Sequence, residues 1–310
     1  MNTPPWLVRA AKNRDAPALA AIATAVSQPR SHVTPQSIAQ SDGRFWIITQ
    51  QEQPIGYATL LPLPGLPHLF ELTGGITPEF QRQGAGSFLW QTMKQDMAGT
   101  AAATGSGQAD QQITHTVDSL DSPAARFLQH HQFALEHEEY TMLLNDLDSK
   151  KLPELADPAP LQRIGRQTAV TTLPQLYDRC FSGTPWFQPY TAEEVAATWE
   201  PDDELYYLGE NDDDIGFAWL HFPEPGVAEI EPIGIVQEKQ RLGYGRTLLT
   251  TILQQLQEQD IHTVRLGVWA NNQTAVNLYQ ALGFQHRSSS YSLSYTLKIY
   301  PKKPQRKKRS

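Results

Sequence analysis

The sequence predicts an α+β protein built from two similar halves. The six-residue signature at 81–86 (QRQGAG) recurs at 240–245 (QRLGYG), and each copy follows an apolar, strand-like run and opens an amphipathic helix. The same order of strands and helices surrounds both copies. The chain has 310 residues, which suits two domains of about 150 residues each.

The elements of the first half follow from the spacing of apolar residues and from the turn residues between them. In order they are a strand at 6–10, a helix at 16–26, hairpin strands at 45–49 and 55–61, a strand at 68–76, a helix after the first glycine loop, a strand at 112–117, a helix at 123–131 and a strand at 138–144. The low-complexity stretch 98–107 has too little apolar surface to offset the entropy of ordering it. We expect a mobile loop there.

The second half repeats this order after a segment rich in proline and charge at 146–160. Its predicted elements are a strand at 161–165, helices at 173–181 and 192–199, hairpin strands at 205–208 and 214–222, a strand at 227–236, a helix with the stripe Leu248, Leu249, Ile252, Leu253 and Leu256, and strands at 264–268 and 291–299. The predicted domains are therefore 1–147 and 158–299, with a linker at 148–157 and a basic tail at 300–310.

The repeated glycine loop is suited to an anionic ligand. A strand-to-helix turn of this kind directs several backbone N–H groups and the positive end of a helix dipole at one point, where a pyrophosphate fits. A Walker loop would need Lys and Ser or Thr after its last glycine, and a dinucleotide fold would need a third glycine three residues on. Neither copy has them.

A second motif accompanies the loop in the second half. Residues 272–284 read Asn-x-x-Ala-x-x-Leu-Tyr-x-x-x-Gly-Phe, and the loop reads Gln/Arg-x-x-Gly-x-Gly/Ala. Together these motifs resemble the GNAT N-acetyltransferases, so the chain is similar to two GNAT domains in tandem. The resemblance implies a mainly antiparallel sheet with flanking helices in each half, acetyl-CoA as cosubstrate and a small-molecule amine as acceptor. The size and layout are also similar to those of mycothiol synthase.

The resemblance implies a set of site residues in the second half. Tyr279 is the expected general acid beside the sulfur of acetyl-CoA. A bulge in the fourth strand of the family leaves N–H groups free for the pantetheine arm, which places that segment at 233–236 here. The residues expected to bind the cosubstrate are Ile235, Val236, Gln240, Arg241, Leu242, Gly243, Tyr244, Gly245, Arg246, Asn272 and Tyr279.

A base is also needed, because a lysine-like ammonium has a pKa of about 10.4 in water and must lose a proton before it reacts. Glu231 is the candidate, since it occupies the fourth-strand position where many GNATs keep a glutamate. Glu229 lies on the same face and is the alternative, or else it faces solvent. Trp186, Phe187 and Tyr190 lie in the loop expected to contact the acceptor, or they pack between the domains.

The first half keeps the loop and loses other parts of the pattern. Leu128 stands where the tyrosine is expected, Gln132 where the glycine is expected, and Leu72 aligns with Glu231. We therefore expect a GNAT fold that lacks the full set of catalytic residues and that binds acetyl-CoA or only shapes the substrate cleft. Its possible second site comprises Gln81, Arg82, Gln83, Gly84, Ala85, Gly86 and Ser87.

Composition limits the remaining possibilities. The single cysteine, Cys180, excludes an intrachain disulfide, and no sequence pattern suggests a metal site. No membrane span or signal peptide is predicted, so the expected compartment is the cytoplasm. The net charge of −8 favours cationic substrates. The basic tail is expected to be solvated, with a weak contact to RNA or acidic lipid as the alternative.

These observations favour an acetyltransferase whose second domain is active. The rival from another class is a noncatalytic acyl-CoA sensor or interaction protein, and within the enzyme class the variant is a mycothiol-synthase-like enzyme. The sequence leaves the oligomeric state open.

Overall fold

The structure is a computed structural model that describes residues 5–26, 38, 43–63, 66–104, 110–155, 160–184, 187–211 and 213–298. The chain divides into two compact units. The first comprises Met1–Glu136 together with Ser292–Ser310, and the second is His137–Tyr291. Trp186 and the tail at 300–310 lie outside the described residues.

The first unit combines a mostly antiparallel sheet with helices. Its elements are β1 (Trp6–Ala10), α1 (Ala16–Ala25), β2 (Arg44–Gln50), β3 (Gln53–Leu63), β4 (Leu66–Ile76), α2 (Ala85–Thr104), β5 (Gln111–Val117) and α3 (Pro123–His130). Strands β1 to β4 pair antiparallel in sequence order, and β5 runs parallel to β4. Leu89, Met93 and Met97 lie on one side of α2 and are buried in the core.

The second unit has the same plan. Its elements are β6 (Ala134–Leu144), β7 (Leu161–Ile164), α4 (Arg166–Phe181), α5 (Ala192–Thr198), β8 (Glu204–Glu210), β9 (Asp213–Glu224), β10 (Val227–Ile235), α6 (Tyr244–Glu258), β11 (Thr263–Trp269), α7 (Gln273–Ala281) and the first half of β12 (Gln285–Leu297). The part of β12 from Ser292 onward belongs to the first unit. Strands β7 to β10 are antiparallel, β11 is parallel to β10, and β6 is antiparallel to β11. The predicted leucine stripe of α6 is buried. The predicted α+β class, with a mainly antiparallel sheet, is confirmed.

The division into units differs from the domain boundaries drawn on the sequence, 1–147 and 158–299. The last strand of the first repeat, β6, pairs with β11 of the second unit from Val264↔Leu144 to Trp269↔Glu139. Conversely, Tyr295 of β12 packs against Trp90 and Phe133 in the first unit, with ring centroids 5.3 and 5.5 Å apart. Each repeat thus supplies most or part of its last strand to the other unit, from His137 onward in β6 and from Ser292 onward in β12. The order of elements in the sequence carries no signal of this exchange.

Two other segments also differ from the prediction. Helix α2 continues to Thr104, where a loop at 98–107 was expected, because the alanine-rich part of this stretch has high helix propensity. The linker after β6 is partly packed, since Leu147 is fully buried. The Gln257 side-chain amide of α6 donates to the carbonyls of Leu147 (2.6 Å) and Lys150 (3.0 Å), which holds the linker on the second unit.

None of the described helices combines the length and the apolar character that a membrane crossing requires.

Candidate active site

The glycine loop of the second unit has the backbone geometry that its sequence demands. Arg241 and Gly243 have φ of 61° and 96°, in the left-handed region. The Gln240 side-chain amide donates to the Ile235 carbonyl at 3.0 Å and so ties the loop to the end of β10. A β-carbon built on Gly243 would meet no atom within 4 Å. Glycine is therefore required at this position by the backbone angle, and the space outside it is open to a ligand.

The remaining loop residues lie around that opening. Leu242 and Arg246 are exposed. The Tyr244 hydroxyl and the Lys239 ammonium both contact the carboxylate of Glu210, which anchors the loop to the end of β8. A β-carbon on Gly245 would be 3.7 Å from Leu278, an ordinary contact distance.

The edge of β10 beside this loop is open. Pairing of β10 with β11 extends only from Val227 to Glu229, while pairing with β9 continues to Ile235. In an antiparallel pair the backbone groups point alternately toward and away from the partner. Val236 N–H donates to the Ile215 carbonyl at 2.9 Å, so the N–H groups of Ile235 and Ile233 point away from β9, toward the open edge.

The register between β9 and β10 shifts between Ile230 and Ile233, around Glu231 and Pro232. The structure therefore has a bulge, just before the 233–236 segment that the resemblance assigns to the pantetheine arm. Val236 itself is unsuitable for binding a ligand. Its side chain is fully buried, its N–H is used by Ile215, and its carbonyl accepts from Lys239 N–H at 2.9 Å.

Helix α7 places Tyr279 and Asn272. Asn272 caps the helix, because its Oδ1 accepts from Ala275 N–H at 3.2 Å. This gives Asn272 a structural role where cosubstrate contact was expected. Tyr279 is buried, and among the described residues its hydroxyl has no hydrogen-bond partner. Burial, with a smaller effect of the Glu231 charge, raises the pKa of Tyr279 to about 12, so the hydroxyl stays protonated at neutral pH.

Glu231 lies at the bulge, on the open side of β10. The residue is exposed, yet protein groups crowd its carboxyl from several sides. This desolvation, followed by repulsion from Glu139 and Glu229, raises the pKa of Glu231 to about 7, while His221 and Arg265 oppose the shift. A carboxyl with such a pKa can accept a proton near neutral pH.

Glu229, the alternative base, is engaged elsewhere. The Arg265 guanidinium donates to its carboxylate, with Nε at 2.9 Å from Oε2. Glu139 of β6 lies closer to the predicted base. A β-carbon on Gly267 of β11 would be 2.9 Å from Oε1 of Glu139 and 3.3 Å from Oε2 of Glu231, so both carboxylates lie over this glycine.

The predicted acceptor loop forms an aromatic cluster with α4. The ring of Tyr177 stacks on Phe187 at 6.0 Å and meets the edge of Tyr190 at 4.8 Å. A cavity of about 120 Å³ lies beside this cluster, lined by Tyr177, Gln188, Pro189, Tyr190 and Glu194. The Glu231 charge contributes to raising the pKa of both Tyr177 and Tyr190, after burial, so the cluster and the carboxyl share one neighbourhood. The third predicted residue, Trp186, is not described.

Cys180 is a packed residue. It is buried between α4 and β10, and a β-carbon on Gly234 of β10 would be 3.0 Å from Cβ of Cys180. Burial raises the pKa of its thiol to about 12. Such a thiol is not a nucleophile at neutral pH.

The glycine loop of the first unit has nearly the same backbone. Arg82 and Gly84 have φ of 57° and 95°, and the Gln81 side chain donates to the Ile76 carbonyl at 2.8 Å. Its surroundings differ. A β-carbon on Gly84 would be 3.3 Å from the Trp6 indole, and one on Gly86 would be 3.3 Å from the Phe127 ring.

Other side chains of this loop also bond within the unit. Ser87 Oγ lies 2.9 Å from His131 Nε2, the Gln83 amide donates to the Glu79 carbonyl at 2.9 Å, and Ala85 is buried. The first loop therefore keeps the backbone of the second, and residues 81–84 are exposed. It differs in that aromatic side chains of its own unit stand beside both of its glycines.

The sheet of the first unit lacks the bulge. Strand β4 pairs with β3 without a register shift from Ile76 to Phe70. The Leu72 carbonyl, just beyond the last residue paired with β5, lies 2.6 Å from His115 Nδ1. Just after α3, the Phe133 N–H donates to the Leu128 carbonyl at 3.0 Å. In the same way, the Phe284 N–H after α7 donates to the Tyr279 carbonyl at 3.0 Å. Leu128 is thus the structural equivalent of Tyr279, and it has no hydroxyl.

Several residues of the second site escaped the sequence analysis. Glu139 belongs to the first repeat and reaches the site through the strand exchange. Asp203 and His221 lie in ordinary strand patterns, and only the folded structure brings them to Glu231. Tyr177 lies four residues before Phe181 on α4, so both rings are on one face of the helix. That spacing is the sequence signal that could have identified Tyr177. In the described part of the chain, no group of three or more His, Cys, Asp or Glu side chains is arranged to hold a metal ion.

A sheet that opens beside a glycine-rich loop, in two units of the same plan, defines the acyl-CoA N-acyltransferase class of folds. The model of the acetyltransferase (GNAT) family matches residues 12–131 and 170–284, so the chain belongs to the GNAT family and carries its domain twice.

Similar sequences carry the name mycothiol acetyltransferase. The protein of that name from Rhodococcus jostii (strain RHA1) is 27% identical over 275 residues, which cover 82% of this chain and 84% of that protein. The one from Paenarthrobacter aurescens (strain TC1) is 36% identical over 90 residues, which cover 27% of this chain and only 28% of that protein.

Solved structures support the tandem fold. An N-acetyltransferase of this family from Sphaerobacter thermophilus has a TM-score of 0.61 at 16% identity, covering 97% of this chain and 99% of that one. A tandem GNAT protein from the clavulanic acid biosynthesis pathway has a TM-score of 0.57 at 15% identity, covering 95% and 99%.

Proposed function

We propose that this protein transfers an acetyl group from acetyl-CoA to the primary amine of a small molecule, and that the second unit performs the transfer. One observation carries the proposal. Glu231, whose pKa is raised to about 7, lies at the bulge of β10, and the buried Tyr279 is close enough to respond to its charge. Both residues stand beside the open strand edge and the glycine loop at 240–246.

The residues present fit acetyl-CoA. The open space outside Gly243 and the helix α6 behind it suit a pyrophosphate, and the outward-pointing N–H groups of Ile233 and Ile235 suit the amides of a pantetheine arm. We assign cosubstrate binding to these groups and to the backbone of the 240–246 loop. Acetyl-CoA supplies the acetyl thioester when bound.

The side chains of the second unit handle two protons. The Glu231 carboxylate accepts the proton that the acceptor ammonium must lose. The Tyr279 hydroxyl, kept protonated by its raised pKa, donates to the departing sulfur. Because the thiol of Cys180 is buried and protonated, an acyl-cysteine route has no nucleophile, and the amine attacks directly.

The acceptor site favours a cationic amine. Glu231 and Glu139 place two carboxylates over Gly267, and Tyr177, Phe187 and Tyr190 present aromatic rings to the same neighbourhood. Ammonium groups bind to carboxylates and to aromatic faces. The named relatives extend this to a specific proposal, an acceptor whose acetylation yields mycothiol.

The proposal is tested by incubating the full chain with acetyl-CoA and a panel of primary amines that includes the amine precursor of mycothiol. Chromatography would measure CoA formation, and mass spectrometry would measure acetylation of each amine. We expect stoichiometric CoA and acetylated product with at least one amine. Tight acetyl-CoA binding without transfer to any of them would favour the acyl-CoA sensor instead.

A further inference from the structure

A buried aspartate and a histidine lie behind the proposed base. The Asp203 side chain is only 2% exposed. Its Oδ2 accepts from Trp219 Nε1 and from Glu200 N–H, both at 3.0 Å, and its Oδ1 lies 2.9 Å from His221 Nδ1. Three hydrogen-bonding groups therefore hold this carboxyl in one orientation.

The other ring nitrogen of His221 faces the bulge. Nε2 lies 2.9 Å from the backbone carbonyl oxygen of Glu231. A carbonyl only accepts hydrogen bonds, so Nε2 of His221 donates to the Glu231 carbonyl. Nδ1, on the other side of the ring, is held by Asp203.

The position of this pair in the sheet matters. His221 is paired with Glu229 in the register of β9 and β10, one residue pair before the register shift that produces the bulge. Its bond to the Glu231 carbonyl therefore ties the bulged residue to β9. The ring also lies 5.1 Å from the ring of Trp219, which supports its orientation.

We propose that His221, held in place by Asp203, is a positioning residue that fixes the bulge and sets the proton affinity of the base Glu231. The proposal rests on the proposed function, because it assigns Glu231 as the base. The Coulombic interaction with His221 acts to lower the pKa of Glu231, against desolvation and the neighbouring carboxylates. The other charged or titratable groups around Glu231 are Glu139, Glu229, Arg265, Tyr177, Tyr190 and Tyr279.

The test is the pH dependence of kcat in the full chain with a saturating acceptor. In His221→Gln the imidazole is lost while a side-chain amide remains, and we expect the acidic limb of the profile to move up by about half to one pH unit. The matched control is His262→Gln, since His262 forms a longer, exposed pair with Asp148 at 3.7 Å and should leave the limb unchanged. An unshifted limb in folded His221→Gln would overturn the proposal.

Two further measurements separate the possible failures. Glu231→Gln should abolish the acidic limb of the pH profile. If that limb persists, Glu231 is not the base, and the proposed mechanism is wrong whatever the result for His221→Gln. Imidazole nitrogen NMR of the wild-type chain needs no variant to fold. We expect a proton on Nε2 of His221, hydrogen-bonded to the Glu231 carbonyl, and an unprotonated Nε2 would contradict the proposal.

Discussion

Tyr279 is a largely buried tyrosine whose hydroxyl makes no hydrogen bond to the described residues. The hydroxyl is not among their fully enclosed, unpaired polar atoms, so it is accessible to a ligand. The sequence register of 272–284 identified this residue correctly as the equivalent of Leu128 in the other repeat. The same register did not predict that Asn272 would cap the helix.

Replacing Tyr279 with Phe removes only the hydroxyl. We expect kcat to fall by about 10² to 10⁴, the range for losing a proton donor, with acetyl-CoA affinity nearly unchanged. Steady-state kinetics with a saturating acceptor and calorimetric titration with acetyl-CoA would measure the two effects. If Tyr279→Phe keeps the wild-type kcat under conditions in which the chemical step limits the rate, then Tyr279 only packs in the core.

The proposed role of Glu231 as the base predicts the direction in which the activity depends on pH. The carboxylate is the form that accepts a proton, and its raised pKa of about 7 means that it is protonated below that pH. We expect kcat to rise as the pH increases through about 7 and Glu231→Gln to lower kcat about 10²-fold or more on the plateau. A wild-type profile that stays flat down to about pH 5, near the ordinary range of glutamate, would exclude this role.

At the scale of elements, the packing of α4 on β10 positions the open strand. A β-carbon on Gly234 would be 2.9 Å from the Phe181 ring and 3.0 Å from Cys180, closer than side chains tolerate. Helix α4 therefore lies against the backbone of β10, and the aromatic cluster of Tyr177 follows one turn away.

We expect Gly234→Ala to destabilise the protein by about 1 to 3 kcal/mol, because the added methyl forces α4 away from β10. Gly209→Ala is the matched control, since its β-carbon would meet only the Asp213 carbonyl at 3.9 Å. Urea unfolding would compare the two variants. Equal stabilities would show that α4 moves without cost and that this contact is not tight.

The elements that sequence predicts best are those defined by contiguous residues. The glycine loops, the leucine stripe of α6 and the motif of α7 each lie within one segment. The spacing of residues along the chain therefore predicts them directly. Glu139, Asp203 and His221 reach Glu231 only through strand pairing, which spacing along the chain does not encode. Low complexity predicted a loop at 98–107, but α2 extends to Thr104 because alanine has a high helix propensity.

At the scale of the whole molecule, the two repeats exchange their last strands. Tyr295 comes from the last strand of the second repeat, yet it packs on Trp90 and Phe133 and lies 5.4 Å from the Lys94 ammonium, all in the first unit. A cut at the repeat boundary near 147 would deprive the first unit of this packing.

We therefore expect Tyr295→Ala to destabilise the first unit by about 2 kcal/mol while the second keeps its stability. Hydrogen exchange would measure this as faster exchange in α2 with unchanged exchange in α6. Thr296→Ala, at an exposed neighbouring position, is the control. Faster exchange in α6 but not in α2 would contradict the assignment of this segment to the first unit.

The central claim is that the second unit carries the transfer, and a matched pair of glycine variants tests it most directly. Gly84 and Gly243 have φ of 95° and 96°, so valine imposes the same backbone strain in both loops. Turnover of acetyl-CoA and amine would be measured for both variants. We predict that Gly243→Val loses at least about 90% of kcat/KM, because its side chain enters the opening that we propose for the pyrophosphate, while Gly84→Val stays within about twofold of wild type. Loss of turnover in Gly84→Val with Gly243→Val nearly unaffected would contradict the claim and assign the activity to the first unit.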